Sequence, residues 1–246
     1  MTAALSLSNN SRTTAGILLQ RGGQLPRPRS ALARNRAVRQ PVANDWDMKL
    51  SGFTSSQTAE ASFARTVVLV EGISDQVALE ALAARRGRNL HAEGISVVAM
   101  GGAQGIGRFL DLFGPQGIDV RLAGLCDAGE EGDFRRALER AGLGSHLTRT
   151  DMESLGFYVC VADLEDELIR SLGAAAVEQV VDAQGELESF RTFQKQPAWR
   201  EQTNEEQLRR FMGTHSGRKI QSAASLVNAL DLSRVPRPLD GVLAHA

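Results

Sequence analysis

Thr66-Val67-Val68-Leu69-Val70-Glu71-Gly72-Ile73-Ser74-Asp75 is the stretch that decides the fold. Its first five residues are apolar or β-branched without a polar interruption, the pattern of a strand buried on both faces. The run stops on an acid and a glycine, and a helical pattern follows with Val77, Leu79, Leu82 and Ala83 as its apolar members and Gly87 as its stop. A strand feeding directly into a helix is the opening of a parallel βαβ unit.

Working outward, the same alternation recurs. Ile95–Met100 reads as a second strand, the Gly101-Gly102 pair as a tight turn, and the segment through Phe109, Leu110 and Leu112 as a helix. Val120–Cys126 reads as a third strand ending at Asp127, Phe134–Arg140 as a helix and Phe157–Cys160 as a fourth strand. Beyond Asp163 the chain reads as helices over 163–172, 174–182, 186–193, 204–212 and 217–230, with Pro236 and Pro238 ending the ordered part. The fold class expected is α/β: a Rossmann-like, mainly parallel sheet flanked by helices, with a helical C-terminal extension. Residues 65–232 form the expected domain and 233–246 a short tail. Residues 1–60, with stretches such as Gln24-Leu25-Pro26-Arg27-Pro28-Arg29-Ser30, read as a disordered basic tail or an arm for nucleic acid or a partner.

Bulk properties narrow the function classes. The 246 residues carry a net charge of -1, so no global positive field attracts a polyanion, and a local site or a partner has to hold one. No apolar run reaches the roughly 18 residues of a membrane helix, and no secretory signal is evident at the start. Cys126 and Cys160 both lie in apolar strand-like runs, so buried free thiols and a cytoplasmic location are expected. The four histidines fit no zinc spacing, although His215 stands near Lys219.

In an open parallel sheet, ligands bind beyond the carboxyl ends of the strands. Acids that end strands are therefore the informative ones. Glu71 follows the first strand, and Asp75, four residues on, can face the same side. Asp127 ends the third strand, with Glu130, Glu131 and Asp133 after it, and Asp163 and Glu165 follow the fourth. Gathered carboxylates repel unless a cation sits among them, and oxygen-only sets suit magnesium or manganese. Helix capping and first-turn acids explain Asp75, Asp163 and Glu130 well, and Glu71 and Asp127, at buried strand termini, less well.

Val68-Leu69-Val70-Glu71-Gly72-Ile73-Ser74-Asp75 resembles the first motif of the Toprim family, and Leu125-Cys126-Asp127 resembles the second. With Asp163-Leu164-Glu165 and Gly217-Arg218-Lys219 following in order, the chain is most similar to the OLD (overcoming lysogenization defect) branch over about 65–230. The resemblance implies metal-dependent phosphodiester hydrolysis on nucleic acid, with DNA the expected partner. It implies that Glu71 and Asp127 bind one Mg2+ or Mn2+, that Asp75, Asp163 and Glu165 help bind a second, and that Glu71, Asp127 and Lys219 are catalytic. Lys219, with Arg218 beside it, is the implied phosphate contact at a helix N-terminus. Where the family has Asp-x-Asp this chain has Asp127-Ala128-Gly129, and Glu130, Glu131 or Asp133 are the candidate substitutes. No Gly-x-x-x-x-Gly-Lys-Ser/Thr loop occurs in the sequence, so the reading is a Toprim domain standing alone or one served by a separate ATPase partner. A metal- or nucleotide-binding regulatory module and a small-molecule binder with ribose- or phosphate-contacting acids are the competing readings.

Overall fold

The computed structural model describes residue 61, residues 63–214 and residues 216–246. The expectations for residues 1–60 and for His215 lie outside the described residues.

Four strands, β1 (Thr66–Val70), β2 (Ile95–Ala99), β3 (Arg121–Cys126) and β4 (Phe157–Val159), form one sheet in the order β2-β1-β3-β4. Every pairing is parallel, with Val68 opposite Val97 on one side and Ala123 on the other. All five residues of β1 are buried, as a central strand requires. Side-chain alternation then divides the interior. Val68, Val70, Val97 and Leu125 enter one core, while Val67, Leu69, Val98 and Cys126 enter the other.

The second core is covered by α2 (Ile106–Phe113), α3 (Glu131–Arg140) and the short α4 (Arg149–Ser154). The first is covered by α1 (Ile73–Arg85), α5 (Leu164–Leu172), α6 (Ala174–Ala183), α7 (Leu187–Gln194), α8 (Asn204–Met212), α9 (Ser216–Ala229) and α10 (Arg237–His245). Helix α9 packs along α1, and the pair is tied by Arg85, whose Nη1 donates to the carbonyls of Val227 at 2.6 Å and Leu230 at 2.7 Å. The alternation of strands and helices and the sequence of C-terminal helices agree with the expectation, as do the buried free thiols Cys126 and Cys160.

Two elements correct it. Order does not end at Pro236 and Pro238: α10 begins there and packs on β3 and β4, burying Leu239, Val242 and Leu243. Proline is tolerated in a first helical turn because its missing N–H has no intrahelical acceptor to lose. The segment 233–246 is thus part of the domain and not a tail. Helix α4 was not expected, yet its start carries a reciprocal cap in which Thr148 Oγ1 accepts from Asp151 N–H at 3.2 Å and Asp151 Oδ2 accepts from Thr148 N–H at 2.8 Å.

Two glycine positions shape the sheet. A Cβ on Gly124 of β3 would stand 2.6 Å from the Phe157 ring, so the close approach of β3 and β4 needs glycine there. Gly101 and Gly102, with φ of 73° and 121°, turn the chain out of β2, and their N–H groups donate to the Glu71 carbonyl at 3.0 and 3.1 Å. That turn fixes the backbone of Glu71 where it leaves β1. No described helix is long and apolar enough to cross a membrane.

Candidate metal centre

Neighbouring strands β1 and β3 end side by side, with Val70 opposite Leu125, so Glu71 and Asp127 emerge together at the carboxyl edge of the sheet. A 3₁₀ turn at Ala128–Glu130 follows Asp127 and folds Glu130 back toward them. One carboxylate oxygen from each of Glu71, Asp127 and Glu130 lies within 4.8 Å of the others. None of the three has an ion-pair partner among the described residues, and Glu71 Oε2 is buried without a hydrogen bond.

The electrostatics follow from that packing. Burial pushes the Glu71 carboxyl above the usual carboxylate range, and Glu130 and Asp75 add to the rise while Lys219 opposes it. Asp127 is pushed up to about 8, by burial first and then by Asp75, Glu71 and Asp163. Burial and the neighbouring carboxylates thus favour the neutral forms of Glu71 and Asp127, and a cation among them would reverse that balance. The orphaned buried oxygen of Glu71 and an all-oxygen donor set fit a hard divalent ion.

A second group of acids lies around the first. Asp75 is buried in the first turn of α1, where its Oδ2 accepts from Gly72 N–H at 2.9 Å. Burial raises its pKa, although the Gly72 hydrogen bond and Lys219 counter the effect. Asp163 caps α5, with Oδ1 accepting from Asp166 N–H at 2.8 Å. Its Oδ2 accepts from Arg209 Nε at 2.8 Å and Nη2 at 2.6 Å. Glu165 is only 5% exposed; its Oε2 lies 3.4 Å from Lys219 Nζ and its Oε1 has no hydrogen-bond partner. Burial works against the Lys219 ammonium, but Glu165, Asp75 and Asp127 outweigh it and hold its pKa above the ordinary lysine value. Glu165 is raised by burial and lowered in turn by Lys219. The lysine stands on the first turn of α9, where the helix dipole disfavours it and the acids across the cleft compensate.

The structure therefore brings together Glu71, Asp75, Asp127, Glu130, Asp163, Glu165 and Lys219. It leaves out three expected residues. Glu131 pairs with Arg149 and Arg135, and Asp133 pairs with Arg136, so neither joins Glu130. Arg218 is spent elsewhere: it pairs with Glu186, donates to Thr214 Oγ1 at 2.7 Å and lies 4.2 Å over the Phe211 ring. Arg209 was missed altogether. The available hint was its place in the last turn of a helix, where a cation is favoured, but its partner Asp163 is 46 residues away.

Gly129 occupies the position where an acid was expected by resemblance. A Cβ there would meet nothing within 4 Å, so the backbone leaves room for a side chain.

Comparison with known proteins agrees with this architecture. Residues 63–128 match the family model for the TOPRIM domain of overcoming lysogenization defect protein-like proteins. The C-terminal region of the Xanthomonas campestris pv. campestris OLD protein, in its platinum-phased structure, superposes with a TM-score of 0.60 at 24% identity, covering 76% of this chain and 93% of that one. The C-terminal region of the Burkholderia pseudomallei OLD protein superposes with a TM-score of 0.57 at 21% identity, over 74% of this chain and 97% of that one. No curated protein sequence matches. Residues 63–128 thus match an OLD-like TOPRIM domain, and the chain shares the fold of the OLD C-terminal regions.

Proposed function

We propose that this protein is a metal-dependent nuclease that hydrolyses phosphodiester bonds in nucleic acid, most simply DNA, with Mg2+ or Mn2+ held by Glu71, Asp127 and Glu130. The observation that carries the reading is the convergence of those three carboxylates at adjacent strand ends without a protein cation among them. A divalent ion bound there supplies Lewis acidity and lowers the pKa of an attacking water.

The chain's own groups supply the rest. Glu71, whose carboxyl burial holds above the usual carboxylate range, is the chain's own candidate to take or give a proton at the cleft. Lys219 reaches the cleft from α9 with its charge secured by Glu165, Asp75 and Asp127, and it is placed to contact a phosphate oxygen. Asp75, Asp163 and Glu165 are the acids for a second ion, and the orphaned Glu165 Oε1 supports that assignment. A net charge of -1 provides little grip on a polyanion, so the arginine-rich segment before residue 60 or a partner, such as a separate ATPase in the cytoplasm, assists binding.

Gly129 supports a second reading, in which the domain binds metal or nucleotide as a regulatory module for an ATPase partner and turns over weakly or not at all. Plasmid nicking by the purified chain with Mg2+ or Mn2+, beside Glu71→Ala and Asp127→Ala, separates the two. Cleavage lost in both variants supports the nuclease. Measurable metal binding without cleavage puts the regulatory module first.

A further inference from the structure

The acids assigned to a second ion already hold cations of the chain's own. Arg209 meets Asp163 Oδ2 with two nitrogens, at 2.6 and 2.8 Å, while Asp166 N–H takes Oδ1. Beside them, Glu165 is buried with Oε1 unpartnered. The guanidinium stands at the wall of a cavity of about 370 Å³ lined by Asp163, Glu165, Arg209, Arg210, Trp199 and Lys219. Three basic side chains thus face one space that also contains the acids.

We propose that Arg209 is a latch: a positioning residue that holds Asp163 away from metal until a phosphodiester in this cavity draws the guanidinium to itself. The inference rests on the nuclease reading and adds an order of assembly to it. Arginine donates two N–H groups to a phosphate as readily as to a carboxylate, so the guanidinium can pass from Asp163 to a phosphodiester without losing hydrogen bonds. The Arg209 side chain is 43% exposed, and a pair that open is weakly held in water. A phosphate arriving beside Lys219 competes with it readily. Release of Asp163 Oδ2 into the cavity that Glu165 also lines would then free a second carboxylate there for a hard ion. Because the coupling is thermodynamic, it is reciprocal: phosphodiester raises affinity for the second ion, and the second ion raises affinity for phosphodiester.

Manganese binding by the metal-stripped chain, followed by electron paramagnetic resonance and calorimetry, tests this without reading activity. The probe is a short phosphorothioate DNA oligonucleotide, whose own manganese is subtracted. The wild type is expected to bind one ion alone and a second when the oligonucleotide is present, with the second-site affinity changing about tenfold. Arg209→Gln should bind the second ion without oligonucleotide, and Arg209→Lys should restore much of the wild-type dependence. Asp163→Asn should keep the first ion and lose the second even with oligonucleotide, which covers the case that Arg209→Gln fails to fold. Two ions in the wild type without oligonucleotide, or a second ion in Asp163→Asn, would overturn the latch. A Glu71→Gln control keeps the two readings apart, because loss of the first ion there is what the metal centre requires. Retention of that ion sinks the centre and the latch together.

Discussion

Two groups of acids share one edge of the sheet and differ in how their charge is met. Asp163 and Glu165 are answered by Arg209 and Lys219, and Asp75 by the Gly72 N–H. Glu71, Asp127 and Glu130 have no such answer, and the cost appears as an Asp127 pKa of about 8. A cluster built only to hold the fold together would be compensated on both sides. The uncompensated half is the part that the proposed ion would complete, and it sacrifices stability to keep its acids together.

The sharpest way to break that contrast is to remove a charge from the uncompensated half. Asp127→Asn is expected to lower plasmid nicking by about 100-fold or more, the scale of a lost group in the reacting centre. On the compensated half, Lys219→Met should lower turnover by about 100-fold. It should also destabilise the fold by about 1–3 kcal/mol in urea, because Glu165 is then left buried without its partner. Glu130→Gln should weaken manganese binding about tenfold, whereas Glu131→Gln and Asp133→Asn should leave it unchanged. Gly129→Asp should strengthen it, because its side chain enters open space beside Asp127.

The smallest effect concerns stability and pH. Asp127 has a folded-state pKa of about 8 against an ordinary 3.8, so the folded protein keeps a proton that the unfolded chain loses. That contribution is full below the ordinary value and is lost as pH rises through about 8. In chelator, Asp127→Asn should therefore be more stable than wild type at pH 8, read as a higher melting temperature. The gap should close toward pH 4. A variant that is less active and more stable would sharpen the contrast. One that is less stable at pH 8 would erase it.

Much of this was legible in the sequence, for identifiable reasons. Continuous apolar runs such as Thr66–Val70 mark buried parallel strands, and acids that end such runs must meet at one edge. The choice among Glu130, Glu131 and Asp133 was not legible, because it depends on the phase of a 3₁₀ turn that delivers only the first of them inward. Arg218 and Arg209 exchanged expected importance for a similar reason. Their partners, Glu186 and Asp163, lie 32 and 46 residues away, and only the packing of the C-terminal helices decides which cation reaches which acid. Helix α10 was hidden by its prolines, which stop a helix from within but start one from outside.

The grip of Arg85 on the carbonyls of Val227 and Leu230 spans 142 and 145 positions. The acids at residues 71 and 75 are thus synthesised well before α9, which covers α1 and brings Lys219. Until that helix leaves the ribosome, the nascent chain has its carboxylates without its lysine, and the face of α1 that bears Leu79 and Leu82 lacks part of its cover. Contacts between such distant segments also make folding slow. The lysine thus joins the acids only when the later helices close over the earlier ones.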